Sequence, residues 1–152
     1  MIKTVLVVCI GNICRSPMAE GLLREALPGV TVSSAGLAAL IGKPADSNAA
    51  ELLAKAGLDI SSHVAQPLTG MLVGQADLIL VMDKEQKHEI QRRYLAASGK
   101  VFRLGELGKF DIPDPYRQPR GAFEDALQLI QRGVDAWVPR IRALKPNSQS
   151  YI

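Results

Sequence analysis

Residues 2–8 (IKTVLVV) end in an unbroken apolar run rich in β-branched side chains, the pattern of a strand covered on both faces in a parallel sheet. Residues 30–34, 76–82 (ADLILVM) and 101–104 read as three more short strands. Between them the apolar positions recur every three or four residues. Met18, Leu22, Leu23 and Leu27 share one face of a helix that opens at Ser16-Pro17, with Ser16 as N-cap and Pro17 in the first helical position, and stops at Pro28-Gly29. Asp46 or Ser47 caps a second helix that turns Leu52, Leu53 and Ala56 inward and closes at Gly57. A charged amphipathic helix over residues 84–95 places Ile90 and Tyr94 inward. A final helix over residues 122–144 carries Phe123, Leu127, Ile130, Val134 and Trp137 at helical spacing, with Pro139 expected to bend it. Strands alternating with helices predict an α/β fold, a three-layer sandwich with a mainly parallel four-stranded sheet flanked by helices. One domain is expected over residues 1–146, with residues 147–152 as a frayed tail.

Composition narrows the function classes. The chain has 152 residues, 47% of them hydrophobic, which suits one packed core and excludes a disordered protein. The net charge is +3, the basic residues are dispersed, and aromatics make up only 5%, so no stacking platform joins a basic cluster and nucleic acid is not an expected partner. Two cysteines, Cys9 and Cys14, are too close in sequence to staple a secreted scaffold and form no CxxC pair, so free thiols in a reducing cytoplasm fit better. The two histidines, His63 and His88, sit in no ligand cluster, and no metal or other cofactor is expected. No apolar stretch approaches the roughly 18 residues that a membrane span needs, so the protein is not expected to be membrane-embedded.

The chemistry concentrates after the first strand. In open α/β sheets ligands gather beyond the carboxyl ends of strands, and here that end is Cys9, Ile10, Gly11, Asn12, Ile13, Cys14, Arg15 and Ser16. A tight loop running into a helix N-terminus presents unpaired N–H groups to an anion, so these residues predict a phosphate-binding nest. Gly11 permits close backbone approach, Asn12 tolerates left-handed angles, and the Arg15 guanidinium forks onto two phosphate oxygens. A thiol at a helix N-terminus beside a cation ionises readily, which makes Cys9 a candidate nucleophile. A cysteine phosphatase also needs an acid for the leaving oxygen. Asp114, restrained between Pro113 and Pro115, is the candidate, with Tyr116 able to stack on an aromatic substrate. Cys14 has two readings, as loop packing or as a thiol that traps an oxidised Cys9 in a reversible disulfide.

VCIGNICRSPMAE at the N-terminus, together with DPY near residue 114, resembles the low-molecular-weight protein tyrosine phosphatases. The resemblance spans the chain from first strand to last helix. It implies that Cys9 is the nucleophile, that Arg15 binds phosphate and stabilises the transition state, and that Asp114 is general acid and base. It implies further that Ser16 supports the thiolate as leaving group, and that Asn12, Ser34 and His63 are buried polar residues holding the loop in shape. Leu40 stands where animal members often carry an aromatic wall residue, and Arg117 follows Tyr116 where they often have a second Tyr; Leu40 and Tyr116 are the expected substrate rim.

The segment AGLAALIGKPAD resembles the bacterial branch associated with capsule and exopolysaccharide gene clusters. The partner this implies is a phosphotyrosine protein, the phosphorylated tail of a membrane tyrosine autokinase, met from the cytoplasm. Two rival readings share the fold. An arsenate reductase would need cysteines distant from the nucleophile, and none follows Cys14. A phosphotyrosine-binding module without catalysis would be expected to lack the nucleophile or the acid.

Overall fold

The computed structural model describes residues 1–143 and shows four strands and five helices in the order β1 (Thr4–Cys9), α1 (Arg15–Ala26), β2 (Thr31–Gly36), α2 (Ser47–Lys55), α3 (Gly70–Gln75), β3 (Leu78–Val81), α4 (Lys84–Arg93), β4 (Val101–Arg103) and α5 (Arg120–Ala143). The sheet order is β2-β1-β3-β4, and every pairing is parallel. Alternation along β1 explains the layers. Val5 and Val7 face a core shared with Met18 and Leu23 of α1 and Phe123, Ile130 and Trp137 of α5. Leu6 and Val8 face the opposite core, with Val73 of α3 and Ile90 of α4. Both faces are covered, which is why the strands read as continuous apolar runs rather than as alternating ones.

Several boundaries differ from the sequence expectation, each for a local reason. Helix α1 begins at Arg15, so Ser16 is not its cap; Cys14 occupies that position and makes no side-chain cap bond. Ala56 is exposed as the C-cap of α2 instead of facing the core, because the helix has already ended at Lys55. Asp46 is the N-cap of α2, its carboxylate accepting the Asn48 N–H. Helix α4 stops at Arg93, where Tyr94 turns extended and the chain enters a 3-10 turn at Leu95–Ala97. Helix α3, capped by Thr69, went unforeseen because six residues with one buried side chain carry no readable period. Helix α5 is continuous through Pro139. Its expected end at Leu144, the domain limit at 146 and the expected frayed tail lie outside the described residues.

Strand β1 has β2 on one side and β3 on the other, so the chain direction across the sheet reverses beside it. The crevice beyond its carboxyl end is the position where open α/β sheets bind ligands. Gly36, at the end of β2, pairs with Cys9. A Cβ on Gly36 would stand 2.4 Å from the Ile10 carbonyl oxygen and 3.0 Å from Ala39, so only glycine lets the two strand ends close. Gly36→Ala is therefore expected to cost about 1–3 kcal/mol through overpacking. Urea denaturation measures this, and an unchanged midpoint would contradict the close approach.

Candidate active site

The segment from Ile10 to Cys14 turns its carbonyls outward. The Ile10 carbonyl accepts the Ala38 N–H, that of Gly11 the Leu40 N–H, that of Ile13 the Asp46 N–H and that of Cys14 the Met18 N–H. The Asn12 carbonyl accepts from His63 Nε2 at 2.6 Å. With its carbonyls engaged behind it, the loop presents N–H groups on its other side. Those of Ile10, Gly11, Ile13 and Cys14 meet no protein acceptor among the described residues, while that of Asn12 donates to Cys9 Sγ at 3.3 Å. This is the arrangement of a backbone anion nest leading into a helix N-terminus. Asn12 makes the bend, with φ of 60°.

Asn12 also fixes the direction of the surrounding hydrogen bonds. Its Oδ1 accepts the Gln66 N–H at 2.9 Å, which assigns the amide orientation and leaves Nδ2 as the donor to both Ser16 Oγ at 2.8 Å and Ser34 Oγ at 3.0 Å. Each hydroxyl then turns its own proton elsewhere. Ser34 donates to Glu20 Oε1 at 2.5 Å, and Ser16 Oγ lies 2.9 Å from Cys9 Sγ, placed to donate when the sulfur is a thiolate. Ser16 is thus not a helix cap but a buried partner of the thiol. The same logic places a proton on His63 Nε2, with Nδ1 at 3.9 Å from Glu20.

Arg15, only 3% exposed, meets three acceptors. Its Nη1 donates to the Ile112 carbonyl at 2.8 Å and lies 3.9 Å from Asp83, and its Nη2 lies 3.5 Å from Asp114. Its buried Nε has no partner among the described residues and remains available to an anion. Asp114 is 46% exposed, so it can meet both a leaving group and solvent; its Oδ1 accepts the Tyr116 N–H at 3.1 Å. Cys9, Ile10, Gly11, Ile13, Cys14, Arg15, Ala38, Leu40, Asp114 and Tyr116 close around one cavity of about 110 Å³. Burial pushes the Cys14 thiol far above its usual range, with the charges of Asp46, Cys9 and Asp114 adding to the effect, so Cys14 stays protonated in the pocket wall.

The structure brings together every residue singled out from the sequence: Cys9, the loop through Ser16, Ser34, His63, Leu40, Asp114 and Tyr116. It adds four more. Glu20 lies one turn beyond Ser16 on the same helix, so i,i+4 spacing was a usable signal. Asp83 follows β3, next to β1 in the sheet, and the rule that marked Cys9 applies to it as well. Nothing in the sequence marks Gln66 or the Ile112 carbonyl, because the Gln66 N–H and side-chain amide and the Ile112 carbonyl meet their partners only on folding. A larger polar groove of about 560 Å³ opens behind the network at Glu20, Arg24, Ser34, His63 and Gln66. It contains no thiol and none of the inward N–H groups.

Comparison with known proteins agrees with this geometry. Residues 4–149 match the family model described as low molecular weight phosphotyrosine protein phosphatase. A probable low molecular weight protein-tyrosine-phosphatase EpsP of Ralstonia nicotianae is 69% identical over 144 residues, covering 95% of this chain and 99% of the relative. The structure of Vibrio vulnificus Wzb in complex with benzylphosphonate superposes with a TM-score of 0.89 at 45% identity, covering 92% of this chain and 99% of that one. The YwlE arginine phosphatase from Geobacillus stearothermophilus, 30% identical, superposes at 0.90 over 99% of both chains. A buried thiol inside a ring of inward N–H groups, an arginine and a carboxylate at its mouth, and a family match over nearly the whole chain together establish that this protein belongs to the low molecular weight phosphotyrosine protein phosphatase family.

Proposed function

We propose that this chain hydrolyses phosphotyrosine in proteins through a phosphocysteine on Cys9. The observation that carries the reading is the set of unpartnered N–H groups around Cys9 Sγ, with the buried Arg15 beside them. A phosphoryl group seated there meets N–H donors and the guanidinium on its equatorial oxygens, where charge sits in the transition state. The Cys9 thiolate attacks phosphorus, and the bond to the tyrosine oxygen breaks. Asp114 gives its proton to that oxygen, and tyrosine leaves. The Asp114 carboxylate then takes a proton from water as the water oxygen attacks phosphorus, releasing inorganic phosphate and the thiolate. Ser16 donates to the departing sulfur from 2.9 Å.

Side-chain class follows from the cavity walls. Cys9 is 3% exposed at the base, and Ile13, Leu40 and Tyr116 line the approach, so a long flat ring reaches the sulfur with its faces against apolar groups. The partner proposed is the phosphorylated tail of a bacterial membrane tyrosine autokinase involved in polysaccharide export, dephosphorylated in the cytoplasm. The resemblance of AGLAALIGKPAD to the exopolysaccharide branch supports it, as does the 69% identical relative named EpsP. No helix among the described residues is long and apolar enough to cross a membrane.

Cys9→Ser and Arg15→Ala should each abolish hydrolysis of p-nitrophenyl phosphate with circular dichroism unchanged, and the wild type should be equally active in chelator. Near-wild-type turnover by Cys9→Ser would remove the phosphocysteine. Asp114→Asn should slow turnover by about 10²–10⁴-fold for phenyl phosphate and far less for esters whose leaving group needs no proton. An equal loss across leaving groups would leave Asp114 a structural role only. Phosphotyrosine peptides should be hydrolysed in preference to phosphoarginine, and the reverse preference would overturn the substrate class. Deleting the gene should raise tyrosine phosphorylation of membrane proteins and change capsule output; if neither moves, the partner assignment fails while the catalytic one stands.

A further inference from the structure

Both protein groups that meet Arg15 Nη1 lead back to one residue outside the pocket, through its backbone N–H on one path and its side chain on the other. Gln86, in the first turn of α4, is 2% exposed. Its own N–H donates to Asp83 Oδ1 at 2.9 Å, and the other oxygen of that carboxylate is the one 3.9 Å from Arg15 Nη1. Its side-chain Oε1 accepts the Met82 N–H at 2.8 Å. Met82 in turn accepts the Ile112 N–H at 2.9 Å through its carbonyl, and the Ile112 carbonyl accepts Arg15 Nη1 at 2.8 Å. Ile112 stands two residues before Asp114, so the same attachment fixes the start of the acid loop.

The remaining amide group makes this more than a helix cap. Gln86 Nε2 is buried and finds no acceptor among the described residues, a cost that an acceptor-only side chain would avoid. Glutamate is that side chain, and it is the usual third-position partner in a reciprocal cap. Glutamate here would place a second negative charge behind Asp83, in the groove wall that Gln86 shares with Arg15, Asp83 and Asp114. That charge would draw on Arg15 and oppose an arriving phosphate dianion. Glutamine supplies the acceptor without the charge, and the stranded donor is its cost.

We propose that Gln86 is a positioning residue for Arg15, its neutral side chain aiming the guanidinium at the phosphoryl group through Met82–Ile112 while its backbone N–H holds Asp83. The proposal rests on the reading of Arg15 as the phosphate-binding cation. It accounts for how a side chain with no contact to substrate bears on both the cation and the acid loop.

A double-mutant cycle on p-nitrophenyl phosphate hydrolysis tests it, run below the melting temperature of every variant. Gln86→Met keeps the length and apolar packing and removes the acceptor. It should lower kcat/KM by about tenfold in the wild-type background, the scale of a small misplacement of a binding group, and raise the inhibition constant of inorganic phosphate in parallel. In an Arg15→Lys background, where the aimed fork is gone, the same change should cost less than about threefold. Gln86→Asn, one methylene too short to reach Met82, should give the same pattern, and it carries the cycle should Gln86→Met not fold. A lower melting temperature with unchanged kcat/KM, or an equal loss in both backgrounds, overturns the proposal and leaves Gln86 a cap. Full activity of Arg15→Lys alone would instead overturn the reading of Arg15 on which it rests.

Discussion

Everything at this site depends on the orientation of a few peptide groups between Cys9 and Ser16. A peptide dipole has no net charge, yet four N–H groups without a protein acceptor among the described residues, grouped at the start of a helix, give an anion a fixed positive environment without a buried cation for each. Such a loop turns every amide the same way and would not persist unaided. It is held from behind: Ala38, Leu40, Asp46, Met18 and His63 each occupy one outward carbonyl. The rest of the fold can be read as the means of placing those five donors.

Asn12 is where the constraint is tightest. It combines a left-handed backbone with a fully buried amide whose three hydrogen bonds are all satisfied, tying the loop to α1, to β2 and to the segment at Gln66. Both its amide protons are given to hydroxyl oxygens, so the Ser34 proton goes to Glu20 and the Ser16 hydroxyl is free to donate to a Cys9 thiolate. Uncharged amide and hydroxyl groups thereby meet the nucleophile directly, with the Glu20–Arg24 ion pair one step behind them. Networks of this kind in a low-dielectric interior are stable only when complete, which explains why Glu20, 9% exposed, is matched by Ser34 and Arg24.

The opposite wall works by different physics. There the charges are explicit, with Arg15 between Asp83 and Asp114, and the two contacts at 3.9 and 3.5 Å are loose ion pairs rather than tight hydrogen bonds. Arg15 is located mainly by the Ile112 carbonyl and can strengthen its interactions when a phosphoryl group arrives. The half-exposed Asp114 sits on a proline-bounded loop anchored at Ile112, so it keeps a position while remaining open to a leaving group and to water. One wall meets the sulfur with amide and hydroxyl groups, the other meets the phosphate site with explicit charges.

The sequence by itself determined the strand and helix alternation, the parallel sheet and the loop after β1, because buried β-branched runs, capping residues and glycines act through local geometry that a linear reading can follow. It also pointed to Cys9, Arg15 and Asp114, through a loop of fixed spacing and an acid set between two prolines; the resemblance to the family implied Ser34 and His63. For Ser16 the resemblance implied support of the thiolate beside a capping role, and the tertiary structure kept the first and withdrew the second. The hydroxyl reads as a cap from the residues around it, and it lies beside the sulfur because the helix begins two residues earlier and Asn12 donates from the other side. Gln66 and the Ile112 carbonyl likewise acquire their places from contacts between segments far apart in the chain. Hydrogen-bond direction depends on what lies across a strand end or beneath a loop, and no local pattern records that.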